Sequence, residues 1–270
     1  MSAKGEKFEP KVSKGASNQE NLLSRAVEIL REEGVWSFFK KASAYTARGL
    51  GFLLLPYALP KIKSLNRGCT LNDVVNFTFN GLVGLIKPWQ VYSEISQLLE
   101  LVDRMKPRVI LEIGTANGGT LFLFSRVASE DAVIISIDLP GVNFGGGYRK
   151  WRGILYRSFA LLDQRIHLLR ADSHDRATLE QAKRILDGKE IDFLFIDGDH
   201  AYAGVKKDFE FYGSLVKKGG IIALHDIVLQ PPELGCEVSK FWGEIKDDYD
   251  SEEIVKDWSQ NWAGIGIIYV

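Results

Sequence analysis

Five predicted strands between residues 109 and 226 of this 270-residue chain each end in a carboxylate side chain. These acids are Glu112, Asp138, Asp172, Asp197 and Asp226. In an open parallel sheet, ligands bind beyond the carboxyl ends of the strands. Turn formation or helix capping explains one or two such acids. Five along one edge of a sheet indicate a functional site.

Two of these acids suit a divalent metal ion. Asp197 and Asp226 end neighbouring strands in this interpretation, so their oxygen atoms can converge on a hard cation such as Mg²⁺. His225 directly precedes Asp226. Because imidazole is a softer ligand, a set of Asp197, His225 and Asp226 suits Mn²⁺ or Fe²⁺ equally well.

The first acid lies beside a glycine-rich turn. The run 109–111 is short, apolar and β-branched, as expected of a buried strand, and Thr120 begins an apolar-periodic segment typical of a helix. Between them, Gly114, Gly118 and Gly119 let the backbone approach a ligand, and the helix start offers unpaired N–H groups. Strand, turn and helix together predict a nucleotide-binding half-unit.

Charge separates two ligands that fit such a turn. Asp138 lies 19 residues after Gly119, about where a dinucleotide site has an acid for ribose hydroxyls. A pyrophosphate, as in NAD, prefers backbone N–H groups without a nearby acid. Glu112 at the mouth of the turn would repel it, whereas a sulfonium cation tolerates this carboxylate. The pattern therefore favours S-adenosylmethionine over NAD.

Strands and helices alternate from residue 88 onward. Apolar runs predict further strands at 133–138, 166–172, 191–197, 221–226 and 264–270. Amphipathic segments predict helices at 88–106, 177–188, 203–220 and 240–249. This alternation predicts a parallel sheet covered on both faces. The segment 139–160, with three consecutive glycines, is expected to be a mobile loop over the pocket.

The N-terminal part has a different composition. Residues 1–70 carry 12 Lys and Arg against 6 Glu, and the remainder carries 22 against 29 acids. Residues 1–18 are polar and aperiodic, which predicts a disordered tail, and residues 19–87 are expected to form a helical extension before a domain at 88–270. The basic, aromatic stretch 36–60 either packs against the main domain or a partner subunit, or contacts a membrane surface.

Overall composition narrows the class of protein. A net charge of −1 argues against a general nucleic-acid binder, and 46% apolar with 26% charged residues is typical of a soluble globular protein. Two cysteines, Cys69 and Cys236, form no metal-type cluster in the sequence, and so few favour a reducing, cytoplasmic compartment. The first residues have no apolar core, so a secretory signal is not expected there, and no apolar run reaches the roughly 20 residues that span a bilayer.

Five motifs in order over residues 88–270 resemble the class I S-adenosylmethionine-dependent methyltransferases. They are LEIGTANGGT, SIDLP, RADSHD, FLFIDGDHAYAGVKKDFEFY and GGIIALHDI. More narrowly, the chain resembles the family that includes cephalosporin-hydroxylase-like proteins and macrolide-sugar O-methyltransferases. The resemblance implies an α/β, Rossmann-like fold: a seven-stranded, mostly parallel sheet with helices on both faces.

The resemblance also implies roles for the residues around the turn. The methionine end of S-adenosylmethionine would be held by Glu112, Gly114, Thr115 and Gly118. Asp138 would bind the ribose hydroxyls, and Asp172 with Ser173 would flank the adenine.

Catalytic roles follow from the same resemblance. His200 lies where sugar-methylating relatives carry a catalytic base, although a histidine at a helix start is the structural alternative. Asp197 matches a metal ligand of the metal-dependent relatives, whereas His225 departs from their acid. The implied reaction is O-methylation of a hydroxyl on a sugar, glycan or glycosylated small molecule, assisted by Mg²⁺, Mn²⁺ or Fe²⁺.

Substrate contacts are expected from aromatic and basic side chains of the 139–160 segment, with packing on its own domain as the alternative. The candidates are Tyr148, Trp151, Arg152 and Tyr156. Two other function classes stay open: a metal-dependent oxidoreductase of the cephalosporin-hydroxylase-like type, and a non-catalytic adenosylmethionine-binding module. A homodimer and a lipid-linked acceptor near a membrane are further expectations.

Overall fold

The computed structural model describes residues 51–65, 68–141 and 147–270, and the statements below concern these residues. Residues 54–270 form one compact unit. The tail expected at 1–18 lies outside the described residues, as does the part of the stretch 36–60 before residue 51. In the part of the chain that is described, no helix is long and apolar enough to cross a membrane.

A seven-stranded sheet runs through this compact unit. Its strands are β1 (Val109–Ile113), β2 (Val133–Asp138), β3 (Arg165–Arg170), β4 (Ile191–Ile196), β5 (Val216–His225), β6 (Asp250–Ile254) and β7 (Ile265–Tyr269). The strand order is β3-β2-β1-β4-β5-β7-β6. Strands β1 to β5 are parallel, and β7 is antiparallel to β5 and β6. The predicted α/β class with a mostly parallel seven-stranded sheet is confirmed.

Helices precede and connect the strands. They are α1 (Leu55–Ser64), α2 (Leu71–Asn80), α3 (Tyr92–Met105), α4 (Gly119–Val127), α5 (Arg152–Arg157), α6 (Arg176–Leu186), α7 (Tyr202–Gly213) and α8 (Val238–Ile245). Short 3-10 turns occur at Gly51–Leu54, Leu82–Gly84, Pro232–Leu234 and Lys246–Asp248.

Each face of the sheet contributes to its own apolar core. On β1, Ile110 belongs to the core formed with α1 to α5, whereas Val109 and Leu111 belong to the core formed with α6 to α8. Successive side chains of a strand point to opposite faces. Because both faces are covered, the parallel strands read as continuous apolar runs in the sequence. This layering explains why their positions could be predicted.

The helices before residue 88 belong to the same compact unit as the sheet. Ala58 and Ile62 of α1 and Val74 of α2 are buried in the core that α4 lines. Arg126 of α4 is only 7% exposed, and its guanidinium donates to the carbonyls of Ile62 (3.2 Å) and Phe159 (2.6 Å). A buried guanidinium needs such acceptors, and the bond to Ile62 joins α1 to α4.

Two predicted helices end well before the expected residue, and strand β6 was not predicted from the sequence. The helix expected at 203–220 ends at Gly213, because Val216 already pairs with Ile191 in the sheet. The helix expected at 240–249 spans Val238–Ile245. Strand β6 has no apolar run, since four of its five residues are polar and three of these are exposed.

Candidate active site

The five strand-end acids lie at or just beyond the carboxyl ends of β1 to β5, as predicted. Glu112 is the penultimate residue of β1 and Asp138 the last of β2. Asp172 lies two residues beyond β3, while Asp197 and Asp226 directly follow β4 and β5. Neighbouring parallel strands bring these ends to one edge of the sheet.

The glycine turn between β1 and α4 is shaped by close packing. Gly114 has φ +95°, and a Cβ there would lie 1.8 Å from the backbone oxygen of Asp197. Gly118 has φ +79°, and a Cβ there would lie 2.4 Å from the ring of Tyr156. Glycine is required at both positions because a side chain would be strained and would collide. The sequence pattern alone suggests only that these glycines admit a ligand.

Glu112 is fully buried beneath the turn. Its carboxyl group accepts hydrogen bonds from the hydroxyls of Thr120 and Ser136 (2.7 Å for Ser136), and Ser136 Oγ also lies 2.5 Å from Thr115 Oγ1. Burial raises the pKa of Glu112 to about 8, although the two hydroxyl bonds act in the opposite direction. The sequence predicts this acid at the mouth of the turn. Glu112 instead lies inside the domain, where its hydrogen bonds support the residues of the turn.

Asp138 joins the turn to the segment after β2. Its Oδ2 accepts from the Ala116 N–H (2.7 Å), and its Oδ1 accepts from the N–H groups of Leu139 and Gly147 (2.8 Å each). Burial raises the pKa of Asp138, while these backbone bonds oppose the shift. The Thr115 backbone N–H also lowers the pKa of Asp138, so the carboxylate is surrounded by backbone donors of the turn and of the segment after β2.

The loop after β3 is held by helix α7. Tyr212 donates its hydroxyl to the backbone oxygen of Ser173 (2.9 Å). Asp172 is half-exposed and accepts from the His174 N–H (2.8 Å). Asp208, fully buried on α7, lies 3.4 Å from His174 Nε2 and raises the pKa of that imidazole. Asp172 and Ser173 thus lie in a loop that is tied to the helix after His200.

Asp197, His225 and Asp226 form a compact cluster where β4 and β5 end. His225 Nδ1 lies 3.1 Å from Asp197 Oδ1 and 3.5 Å from Asp226 Oδ2. Gln90 donates from Nε2 to Asp197 Oδ2 (2.9 Å), and the Ala263 N–H donates to Asp226 Oδ1 (2.8 Å). The two carboxylates are therefore fixed by donors from outside the cluster.

His200 lies between the two carboxylates. Its Nε2 is 3.4 Å from Asp197 Oδ1 and its Nδ1 is 3.4 Å from Asp226 Oδ2, while 43% of its side chain is exposed. Its hydrogen bond to Asp197 raises the pKa of His200, an effect that exceeds the opposing one of burial. An imidazole held between two acids and still open to solvent can accept a proton from a bound hydroxyl.

The charges within the cluster stabilise one another. Burial alone would lower the pKa of His225, but the carboxylates of Asp197 and Asp226 raise it well above its ordinary value. In return, although burial acts in the opposite direction, His225 holds the pKa of Asp226 down at about 2 and also lowers that of Asp197. An imidazolium between two carboxylates is thus the favoured charge arrangement.

The same three residues fit a divalent cation. One ligand atom each from Asp197, His225 and Asp226 lies within 4.8 Å of the others. His225 Nε2 is buried without a hydrogen-bond partner, and Nδ1 is the nitrogen that faces the carboxylates. Two oxygens and one nitrogen are a donor set that suits Mn²⁺ and Fe²⁺, and the two carboxylates offer the oxygen ligands that Mg²⁺ prefers.

Sequence reasoning missed three contributors to this site. Gln90 lies 107 residues before Asp197, and nothing in its sequence neighbourhood marks it as polar support. Glu94 is fully buried and accepts from the N–H groups of two residues in the loop before β7. Cys236 lies close to His200 and Asp226, although it belongs to no cluster in the sequence. Long-range contacts of this kind leave no local signal.

The expected open loop at 139–160 requires correction. Residues 152–157 form α5, and Tyr148, Arg152 and Tyr156 are 1%, 9% and 0% exposed. Tyr156 donates to the backbone oxygen of Ala116 (2.7 Å), and Arg152 donates to that of Leu85 (3.0 Å). The three side chains pack beneath the glycine turn rather than face an open pocket, because buried backbone oxygens there need donors.

Trp151 is the fourth of the predicted substrate residues. It is partly buried against the core, and the guanidinium of Arg152 lies 5.1 Å from the centre of its ring. Its indole nitrogen is buried without a hydrogen-bond partner. Contact between Trp151 and a substrate stays a prediction.

Comparison with known proteins finds similarity to methyltransferases over part of the sheet domain. Residues 111–227 match the family model described as "Methyltransferase domain". This range begins within β1 and ends just after Asp226. This match covers less than half of the chain, and it agrees with the resemblance of residues 88–270 to the class I methyltransferases. The chain's fold is similar to that of the O-methyltransferase TomG from Streptomyces achromogenes, a structure in complex with SAM. The two are 20% identical with a TM-score of 0.50, covering 74% of this chain and 88% of that one.

Two relatives match by sequence. An uncharacterized protein, y4gI, of Sinorhizobium fredii is 30% identical over 149 residues, which are 54% of this chain and 16% of that protein. An uncharacterized protein, R132, of Acanthamoeba polyphaga mimivirus is 33% identical over 116 residues, 43% of this chain and 50% of that protein. The chain therefore spans half or less of the length of these relatives.

Proposed function

We propose that this chain is an S-adenosylmethionine-dependent O-methyltransferase whose acceptor hydroxyl binds at the cluster of Asp197, His200 and Asp226. The observation that carries the proposal is the direct packing of Gly114 against the backbone of Asp197. The donor turn and the acceptor cluster are thereby adjacent, as a transfer between two bound reactants requires.

The residues around the turn suit a cationic donor. S-adenosylmethionine supplies an electrophilic methyl group on a sulfonium. A cation bound nearby favours the ionised form of Glu112, whose pKa of about 8 lies close to neutrality. Asp138, at the end of β2 beside the turn, would bind the ribose hydroxyls, and the loop with Asp172 and Ser173 would flank the adenine.

His200 acts as the general base. In its neutral form it takes the proton of the acceptor hydroxyl, and the oxygen lone pair forms a bond to the methyl carbon as the carbon–sulfur bond breaks. The products are the methyl ether, S-adenosylhomocysteine and a protonated His200. Asp197 and Asp226, each 3.4 Å from the ring, stabilise that imidazolium before the proton passes to solvent.

Asp197, His225 and Asp226 would hold a divalent metal, with Mg²⁺, Mn²⁺ and Fe²⁺ as candidates. Such an ion supplies Lewis acidity that lowers the pKa of a hydroxyl. Support for this assignment comes from Gln90 and the Ala263 N–H, which bind one oxygen of each carboxylate and orient the other toward the cluster.

The acceptor is a hydroxyl of a sugar, glycan or glycosylated small molecule. Trp89 and Trp262 are 66% and 42% exposed, and in the sequence they precede Gln90 and Ala263, which contact the cluster. Exposed indoles offer flat apolar faces for stacking, and sugar rings present such a face beside their hydroxyls.

Isothermal titration with S-adenosylmethionine tests the donor assignment. We expect binding by the wild type and by His200→Ala, and methyl transfer from labelled donor to a panel of glycosides at least about 10²-fold slower in His200→Ala. His167→Ala, on β3, is the matched histidine control. Absence of donor binding at millimolar concentration would contradict the proposal, and unchanged turnover in His200→Ala would remove that residue as the base.

A further inference from the structure

Cys236 lies at the edge of the acid cluster. It follows the 3-10 turn Pro232–Leu234 and precedes α8, and it is half-buried. One ligand atom each from Cys236, His200 and Asp226 lies within 4.8 Å of the others. This group differs from the set of Asp197, His225 and Asp226, although both contain Asp226.

The backbone fixes Cys236 beside His200. The N–H of Glu237 donates to the His200 carbonyl (2.8 Å), and Glu237 Oε2 accepts from the N–H of Tyr202 (3.1 Å). Glu237, the residue after Cys236, is thus hydrogen-bonded to His200 and to Tyr202. The imidazole itself faces the second ligand, because His200 Nδ1 lies 3.4 Å from Asp226 Oδ2.

The donor set has a definite metal preference. A thiolate, an imidazole and a carboxylate are ligands that Zn²⁺ accepts together, whereas Mg²⁺ prefers oxygen alone. Zinc ligands bind at about 2.0–2.3 Å, so two of them lie roughly 3–4 Å apart. Small rotations of three side chains whose ligand atoms lie within 4.8 Å of one another reach that spacing.

We propose that His200, Asp226 and Cys236 bind Zn²⁺ at a second metal site, and that the bound ion blocks His200 as a base. On binding, the thiol proton leaves to solvent, and the sulfur donates a lone pair to the metal without any redox change. An imidazole nitrogen that is bound to zinc cannot accept a proton. The blocking rests on the proposed function of His200, whereas the zinc site does not.

Cobalt titration of the reduced, purified full chain tests the ligand set, because Co²⁺ replaces Zn²⁺ and a thiolate ligand adds a near-ultraviolet charge-transfer band. We expect the band in the wild type and in Cys69→Ser, and its loss in Cys236→Ser. Competition with a chelator should show Zn²⁺ binding at least about tenfold weaker in Cys236→Ser. Cys69 is the matched control because it is also half-buried.

A protection experiment on the unaltered chain needs neither a variant nor a methyl acceptor. Zn²⁺ should shield Cys236 from iodoacetamide and His200 from diethylpyrocarbonate, with Cys69 and His167 as internal references in the mass spectra. Absence of the thiolate band in the wild type, or a band that survives in Cys236→Ser, overturns the zinc site. Shielding of Cys236 without shielding of His200 overturns the blocking, whether or not the chain transfers methyl groups.

Discussion

Gly114 and Asp197 are packed so closely that a Cβ on Gly114 would lie 1.8 Å from the Asp197 carbonyl oxygen. They follow the neighbouring strands β1 and β4, and the Asp197 N–H donates to the carbonyl of Ile113 (2.8 Å). The turn assigned to the methyl donor and the acid assigned to the acceptor are therefore one packed unit. A change that displaces one of them displaces the other.

Substitution of Gly114 by alanine should disrupt this unit. The positive φ costs roughly 1–2 kcal/mol for a residue with a Cβ, and the collision with Asp197 adds about 1–3 kcal/mol. Urea unfolding should show Gly114→Ala less stable than Gly188→Ala by at least about 1 kcal/mol. Gly188 is the matched control because it has φ +76° and nothing within 4 Å of an added Cβ.

Binding of S-adenosylmethionine by the same two variants distinguishes damage to the glycine turn from a general loss of stability. Gly188→Ala should bind S-adenosylmethionine as the wild type does, whereas Gly114→Ala should bind it at least about tenfold more weakly if it folds. Equal stability of the two alanine variants would show that the turn yields to the added methyl group, contrary to the packing described above.

Gln90 should act as a positioning residue for Asp197. Gln90→Leu keeps the side-chain size but removes the donor to Asp197 Oδ2, and a hydrogen bond to a charged group contributes roughly 1.5–3 kcal/mol. Loss of an outer partner of a metal ligand weakens metal affinity about 10–100-fold. Titration with Mn²⁺, followed by electron paramagnetic resonance, should show that loss. Gln97→Leu, an exposed position on α3, should bind Mn²⁺ like the wild type, and the same result for Gln90→Leu would exclude the positioning role.

The strand-end acids could be predicted from the sequence because a buried parallel strand is a mostly apolar run, and here an acid follows each run. The run VIISI is continuously apolar apart from one serine and ends at Asp138, and the run IDFLFI ends at Asp197. The strands are apolar because helices cover both faces of the sheet, so the runs are visible in the sequence without knowledge of distant contacts. Strand β6 has no apolar run, because its acids face solvent. It is held in the sheet by pairing with β7.

The supports of the site could not be predicted, because they depend on contacts between distant parts of the chain. Gln90 meets Asp197 across 107 residues, and Cys236 approaches His200 only through the fold. The pattern around Tyr156 is that of a polar, glycine-rich loop, yet its ring packs directly against the turn at Gly118. Residue type predicts where charge lies, whereas tertiary packing decides which polar groups face a ligand.

Glu94 should be essential for the loop before β7. Its fully buried carboxylate accepts from the N–H groups of Lys256 and Gly264 (2.9 Å each) and from Gln260 Nε2 (2.8 Å). Glu94→Gln replaces one acceptor oxygen with an NH₂ group that faces these donors, and an unsatisfied buried donor costs about 1–3 kcal/mol. Urea unfolding should show a free energy of unfolding that is lower by that amount, and hydrogen exchange should increase over residues 256–264.

The exposed Glu100 of the same helix provides the control for this prediction. Glu100→Gln should leave both the unfolding free energy and the exchange of residues 256–264 unchanged. Because the Ala263 N–H donates to Asp226, release of this loop should also weaken Mn²⁺ binding in Glu94→Gln. A loop that exchanges at the wild-type rate in Glu94→Gln would mean that other contacts hold it.

Glu112 should make the folded state less stable as the pH rises. Its pKa is about 8 in the folded chain, against 4.5 for an ordinary glutamate, because burial disfavours the charged form. A carboxyl group with a raised pKa in the folded state contributes its stability fully below the unfolded value and loses it progressively up to the folded value. The loss is about 1.4 kcal/mol per pH unit between about pH 5 and pH 8.

Comparison with Glu112→Gln isolates this effect from all other titrating groups. The amide has a similar shape, carries no charge, and can still bond to the hydroxyls of Thr120 and Ser136. The difference in unfolding free energy between wild type and variant should therefore shift in favour of the variant by up to about 1.4 kcal/mol per pH unit across that range. Glu190→Gln, at an exposed position, should show a constant difference. A constant difference for Glu112→Gln as well would mean that Glu112 ionises as readily in the folded chain as in the unfolded one.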